Sequence, residues 1–209
     1  MPPAPPRRAT RAEHDRPPVA LHERAQSDLA FMRGVLERSH HFTAVPGVGG
    51  VLMGSSAIIA AIVAYAQPSY SRWLTVWLLD AVIAAAIGAF MLVRKARRTA
   101  IPLGGTPARR FALGLFPPLL AGGVLTFACL RADAWTLLPP LWLCCYGIAV
   151  LGGGAVSAAR VVPTLGAAFL GFGALAVATP SSWADIWLGL AFGLGHIVAG
   201  LIVARRHGG

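Results

Sequence analysis

FTAVPGVGGVLMGSSAIIAAIVAYAQPSYS, residues 42–71, contains no charged side chain. About 20 apolar residues in a helix cross the hydrocarbon of a bilayer, so this stretch is long enough to span it with residues to spare. Its glycines and alanines would be poor filling for a water-soluble core, but they suit close packing of helices in lipid. We place span 1 at about 45–66 within it.

Working outward, the pattern recurs. Span 2 covers about 73–93, interrupted by Asp80 alone, and a basic segment, RKARRTAIPLGGTPARR, fills 94–110. Span 3 lies at about 111–130, followed by the turn RADA at 131–134. Span 4 lies at about 135–156, with Arg160 at its exit. Span 5 covers about 161–179, followed by PSSWAD at 180–185. Span 6 covers about 184–204 and ends in RRHGG at 205–209. Only 12% of the residues are charged and 56% are hydrophobic, about half the charge of an ordinary soluble domain. The fold class expected is all-α: a six-helix transmembrane bundle over 42–204, with a five-residue cytoplasmic tail at 205–209.

The polar remainder is N-terminal. Residues 1–19 are rich in Pro and Arg and should be a disordered basic tail. Residues 20–41 differ, because Leu21, Ala25, Leu29, Met32 and Leu36 recur at helical spacing, with Phe31 and Val35 widening the apolar side. That predicts an amphipathic helix lying on the cytoplasmic membrane surface or docking on a cytoplasmic protein partner. The first apolar run begins near Phe42, too late and too long for a cleaved leader, so none is expected.

Charge sets the orientation. With six crossings, sixteen of the eighteen Lys and Arg residues fall on one side, and only Arg72 and Arg131 on the other. Positive charge marks the cytoplasm, so both termini are expected there. The tryptophans agree with this, lying at the opposite end of the spans. Trp73, Trp135 and Trp183 begin the even-numbered spans, with Trp77, Trp142 and Trp187 a turn or two deeper, all toward the outer side. A net charge of +10 is of the kind nucleic-acid binders carry, but the basic residues border apolar spans and form no aromatic-lined groove, so no nucleic-acid partner is expected. Lys95 is the one lysine, and with much Ala, Gly and Pro this points to a GC-rich bacterial genome and hence a bacterial inner membrane.

Two intramembrane residues are candidates for chemistry. Asp80 lies seven residues inside Trp73, about 10 Å deep, where an ionised carboxylate facing lipid would cost roughly 2.5–3.5 kcal/mol. It must face the bundle, be protonated or be paired. It is either a proton or cation site, or a structural group bonded to Thr126, Thr136 or Arg131. His196, in GLGHIVAG, lies thirteen residues inside Trp183 among small neighbours. It is either a packing histidine bonded to a backbone carbonyl or a proton relay, metal or haem ligand. The two differ in depth by six residues, about 9 Å, so they should not pair directly. Adjacent His40 and His41 do not share a helix face and suggest headgroup-level polar residues, and Cys129, Cys144 and Cys145 suggest buried small hydrophobes. No hydrolase, kinase, redox or zinc motif is present, so no catalytic residue, cofactor or metal is expected.

Small residues four apart, such as Gly50 with Gly54 and Gly189 with Gly193, should mark close helix contacts. Gly152-Gly153-Gly154 should bend or loosen the end of span 4. Pro117-Pro118 and Pro139-Pro140 should kink spans 3 and 4. Val45-Pro46 with Gly49 and Gly54 matches Val162-Pro163 with Gly166 and Gly171 in spacing, a short hint of repetition between the first and last hairpins.

Asp28-Leu29, Phe31-Met32-Arg33, Leu36-Glu37-Arg38-Ser39, Phe42-Thr43-Ala44-Val45-Pro46-Gly47 and Gly49-Gly50 together resemble a group of uncharacterised bacterial polytopic membrane proteins. In these a short helix leads into a Gly-rich first span. The resemblance covers about residues 28–54, implies a bacterial membrane protein, and carries over no activity or site residue. The function expected is a non-enzymatic structural or regulatory component of the inner membrane. Its expected partners are the lipid bilayer, a cytoplasmic protein reached through residues 20–41, and a second copy of the chain. The alternatives are a small proton- or cation-coupled transporter or channel using Asp80, and a membrane enzyme or redox subunit with His196 as ligand.

Overall fold

A computed structural model describes residues 23, 25–32, 45–100 and 103–207. The chain divides into two units, Met1–His40 and His41–Gly209. In the first, residues 25–32 are helical and exposed, Leu29, Phe31 and Met32 among them. The rest of the expected 20–41 helix, the 1–19 tail and the His40–His41 pair lie outside the described residues.

The second unit is all helical, with no strand among its described residues. Its helices are α1 (Gly47–Tyr65), α2 (Tyr70–Arg98), α3 (Thr106–Arg131), α4 (Leu138–Gly154), α5 (Val161–Ala178), α6 (Ala184–Leu188) and α7 (His196–His207). A π-helical segment, Gly189–Gly195, joins α6 to α7, so that the sixth span is continuous over Ser181–Arg206. Among the described residues six helices are long and apolar enough to cross a membrane, and the expected six-span bundle is what they form.

The basic segment is shorter as a loop than expected. α2 runs to Arg98 and α3 starts at Thr106. Lys95, Arg97 and Arg98 occupy the last turn of α2, where cations meet the negative end of the helix dipole. Pro107 sits in the first turn of α3, where a missing N–H costs nothing. A helix can therefore run well past the edge of the hydrocarbon. α7 likewise carries Arg205 and Arg206 in helix, beyond the expected end of span 6.

The prolines divide into two cases. Pro117 and Pro118 lie within α3, which continues past them. Pro139 and Pro140 do not interrupt a span, because Trp135–Leu137 is a separate 3-10 turn and α4 begins at Leu138. They occupy the first turn of α4, whose backbone donors have no partner in the helix in any case, and so demand no kink.

Packing follows a serial order. α1 lies between α2 and the sixth span, α4 lies between α3 and α5, and the sixth span also meets α5 and α4. The seams are made of glycine. A Cβ on Gly54 would stand 2.5 Å from the Gly193 carbonyl oxygen and 2.8 Å from Ile197 N, and one on Gly200 would stand 2.7 Å from Val51 N. At the α3–α4 seam a Cβ on Gly152 would stand 2.8 Å from Gly114 O, and at the α4–α5 seam one on Gly154 would stand 2.9 Å from Pro163 N. The Gly152–Gly154 run thus tightens the end of α4 against two neighbours instead of loosening it. Of the glycines paired in the hinted repeat, Gly49 and Gly166 both sit at tight contacts, whereas Gly54 is packed backbone to backbone and Gly171 has nothing within 4 Å of a Cβ.

Substituting Gly54 with Val should overpack the α1–sixth span seam and cost about 1–3 kcal/mol, whereas Gly171→Ala should leave stability unchanged. Thermal unfolding of both variants in one mild detergent checks the contrast.

Candidate functional site

Polar side chains in hydrocarbon must find partners within the protein, and this bundle provides them at three levels. At the Trp-rich end, Asp185 accepts hydrogen bonds from the indole N–H groups of Trp73 (2.7 Å) and Trp77 (3.0 Å), tying the sixth span to α2. The indole of Trp142 stacks on that of Trp73, with centroids 5.6 Å apart, and donates to the Thr126 hydroxyl at 2.8 Å. Thr126 passes its own proton to Gly122 O. Trp187 donates to Thr179 at 2.8 Å, and Trp135 to Asp133 at 2.6 Å. Asp133 follows the end of α3 with φ 58°, a left-handed turn that Asp tolerates better than most residues.

Midway along the bundle sits His196. Its Nδ1 lies 2.9 Å from Phe192 O and its Nε2 lies 2.7 Å from the Tyr146 hydroxyl. A carbonyl only accepts, so Nδ1 carries the proton. Nε2 of the neutral ring then accepts, and the Tyr146 hydroxyl donates. Both ring nitrogens are thereby occupied by the protein. Phe169 and Phe192 close the cage, with Phe169 4.8 Å from Tyr146 and 5.5 Å from His196 by ring centroid. The π-helical turn ends at His196. Such widened turns free a carbonyl from the regular ladder, and here the imidazole is bonded to the Phe192 carbonyl within it.

Asp80 occupies a separate position. It is buried on α2, with the Ser56 hydroxyl of α1 beside its carboxyl, and not Thr126, Thr136 or Arg131. Ser56 Oγ also lies 2.8 Å from Met53 O, which can only accept. A hydroxyl has one proton. That of Ser56 points to Met53 O. Asp80 and His196 have different partners, as their difference in depth implied.

At the Arg-rich end Lys95 is buried and its Nζ donates to Val45 O at 3.1 Å. Cys129, Cys144 and Cys145 are free thiols, half-buried among helices, and Cys144 fits against Gly173. Among the described residues, no three His, Cys, Asp or Glu side chains converge as metal ligands would.

Sequence reasoning named Asp80 and His196 but missed Tyr146, Ser56 and Asp185. A usable signal existed for the first two. Tyr146 lies eleven residues inside Trp135 and His196 thirteen inside Trp183, so their depths agree to about 3 Å. Ser56 lies nine residues from the end of α1 at Tyr65, and Asp80 seven inside Trp73. Asp185 was read as part of a turn, and only folding brings it to Trp73 and Trp77.

The fold and these buried groups define a multi-pass membrane protein with six helical spans. Compared with family models, curated proteins and solved structures, the chain matches none.

Replacing Tyr146 with Phe should strand Nε2 in apolar surroundings and cost about 0.6–2 kcal/mol. In a double-mutant cycle with His196→Leu the double variant should lose less than the sum of the two single losses, read by reversible unfolding in mixed micelles; strict additivity would mean the bond does not form. Asp185→Leu should cost at most about 2 kcal/mol, and should change the tryptophan fluorescence as two indoles lose their acceptor. A spectrum identical to wild type would show that the clamp is absent.

Proposed function

We propose that the chain is a non-enzymatic structural or regulatory component of a bacterial inner membrane, with both termini cytoplasmic, working through contacts with lipid and protein. One observation carries this reading: Trp73, Trp77, Trp142 and His196 bond to polar side chains of other helices, so they join the bundle together. His196 exemplifies it, since a metal or haem would have to displace Tyr146 to reach Nε2. The exposed Leu29, Phe31 and Met32 of residues 25–32 supply an apolar surface for a cytoplasmic partner, and the arginine asymmetry supports the orientation. The resemblance of residues 28–54 to a bacterial polytopic group accords with the same reading. Deleting residues 1–41 and comparing the proteins that co-purify in mild detergent tests it. The partners should be lost with the segment, and an unchanged set would remove the helix from the role.

A second reading, a small proton- or cation-coupled transporter, is favoured by one feature. Asp80 is a carboxyl buried within a span, with the neutral Ser56 hydroxyl of α1 beside it. Reconstituted into liposomes under a proton gradient, the wild type should then carry a flux that Asp80→Asn abolishes. A flux unaffected by that substitution would exclude Asp80 from coupling.

A further inference from the structure

The Arg-rich end of the bundle holds nine cationic side chains: four at the end of α2, two at the start of α3, one after α4 and two on α7. The described carboxylates of the bundle are elsewhere, Asp80 within α2 and Asp133 and Asp185 at the Trp-rich end. So much like charge on one face needs counter-charge from outside the bundle. Packing concentrates part of it. Ala96, 2% exposed, is packed against Phe111, Ala108 and Val156, which seats the end of α2 against the start of α3. Arg97 and Arg98 follow Ala96 directly, and Arg109 and Arg110 directly precede Phe111. All four are exposed, and they flank one seam.

Below that seam the lipid-facing side of α3 is apolar and continuous. Arg109, Leu113, Phe116, Leu120, Val124 and Phe127 recur at spacings of three and four, which aligns them on one helix face. The five apolar members are 61–71% exposed. Around Pro117 the helix surface is notched, with Phe116, Pro117, Leu119 and Leu120 lining a shallow apolar groove. Phe116 lies seven residues from Arg109, about 10 Å along the axis. Cations at headgroup level thus stand directly over an apolar groove at acyl-chain depth.

We propose that this face of α3, with the seam to α2, is a docking site for an anionic phospholipid. Arg109 and Arg110, with Arg97 and Arg98 across the seam, hold the headgroup phosphate through charge-assisted hydrogen bonds. One acyl chain lies along Leu113, Phe116 and Leu120. The site is local, which separates it from the general attraction of basic loops to an anionic leaflet, and it holds whichever function the bundle serves.

The test uses the full chain, stripped of lipid in detergent and titrated with phosphatidylglycerol or phosphatidylcholine, bound lipid being counted by native mass spectrometry. Wild type should retain phosphatidylglycerol in preference to phosphatidylcholine. Arg109→Gln with Arg110→Gln should weaken that retention on the order of tenfold. Arg205→Gln with Arg206→Gln removes the same charge from the same end and should leave it unchanged. Leu120→Trp keeps every charge, fills the groove and should weaken retention of long-chain but not of short-chain phosphatidylglycerol. Equal losses from the two arginine pairs would mean diffuse attraction and overturn the proposal. So would a Leu120→Trp variant that binds long chains like wild type, or inorganic phosphate at millimolar concentration displacing the lipid from wild type. If the Arg109/Arg110 variant fails to fold, as unfolding in phosphatidylcholine micelles would reveal, the Leu120→Trp comparison decides alone.

Discussion

Hydrocarbon supplies no hydrogen bonds, and that constraint organises the molecule. An unpaired polar group at this depth costs several kcal/mol, so each polar side chain admitted to the spans must bring a partner with it. Trp73 and Trp77 share Asp185, Trp142 takes Thr126, and His196 sits between Tyr146 and the Phe192 carbonyl. Most of these bonds cross between helices. They fix which face of each helix turns inward, a choice that apolar side chains in an apolar solvent specify only weakly.

The second requirement is distance. Lipid gives helices no hydrophobic reason to associate, so attraction comes from packing and from hydrogen bonds short enough to form. Glycine at the seams meets both needs. Gly54, Gly193 and Gly200 bring the backbones of α1 and the sixth span into contact, and Gly114 with Gly152 does the same for α3 and α4. The π-helical segment Gly189–Gly195 belongs to this economy. Three glycines among its seven residues permit the wider turn, and the turn presents a carbonyl to His196.

The two ends of the bundle carry different chemistry. At one, indole N–H groups donate to carboxylates, an arrangement suited to an interface. At the other, exposed arginines stand over an apolar helix face, away from the described carboxylates of the bundle. The asymmetry extends from sequence to surface: the arginines that border the spans in the sequence form a charged rim at one end of the bundle.

The sequence alone determined the class and the number of spans. These depend on composition over some twenty residues at a time, and hydrocarbon thickness converts that composition directly into helices. It also singled out Asp80 and His196, because a lone polar residue in an apolar run is conspicuous. Helix ends were less legible at Arg98 and Thr106, since helix formation does not stop where hydrocarbon does. The prolines at 139–140 were misplaced for want of the local break at Trp135–Leu137. Partners were decided by the tertiary structure. Asp185 meets Trp73 across 112 residues and His196 meets Tyr146 across 50, and such pairings follow from the rotation of each helix about its axis. That rotation is set by glycine seams and hydrogen bonds acting together, which a linear pattern of apolar residues does not encode.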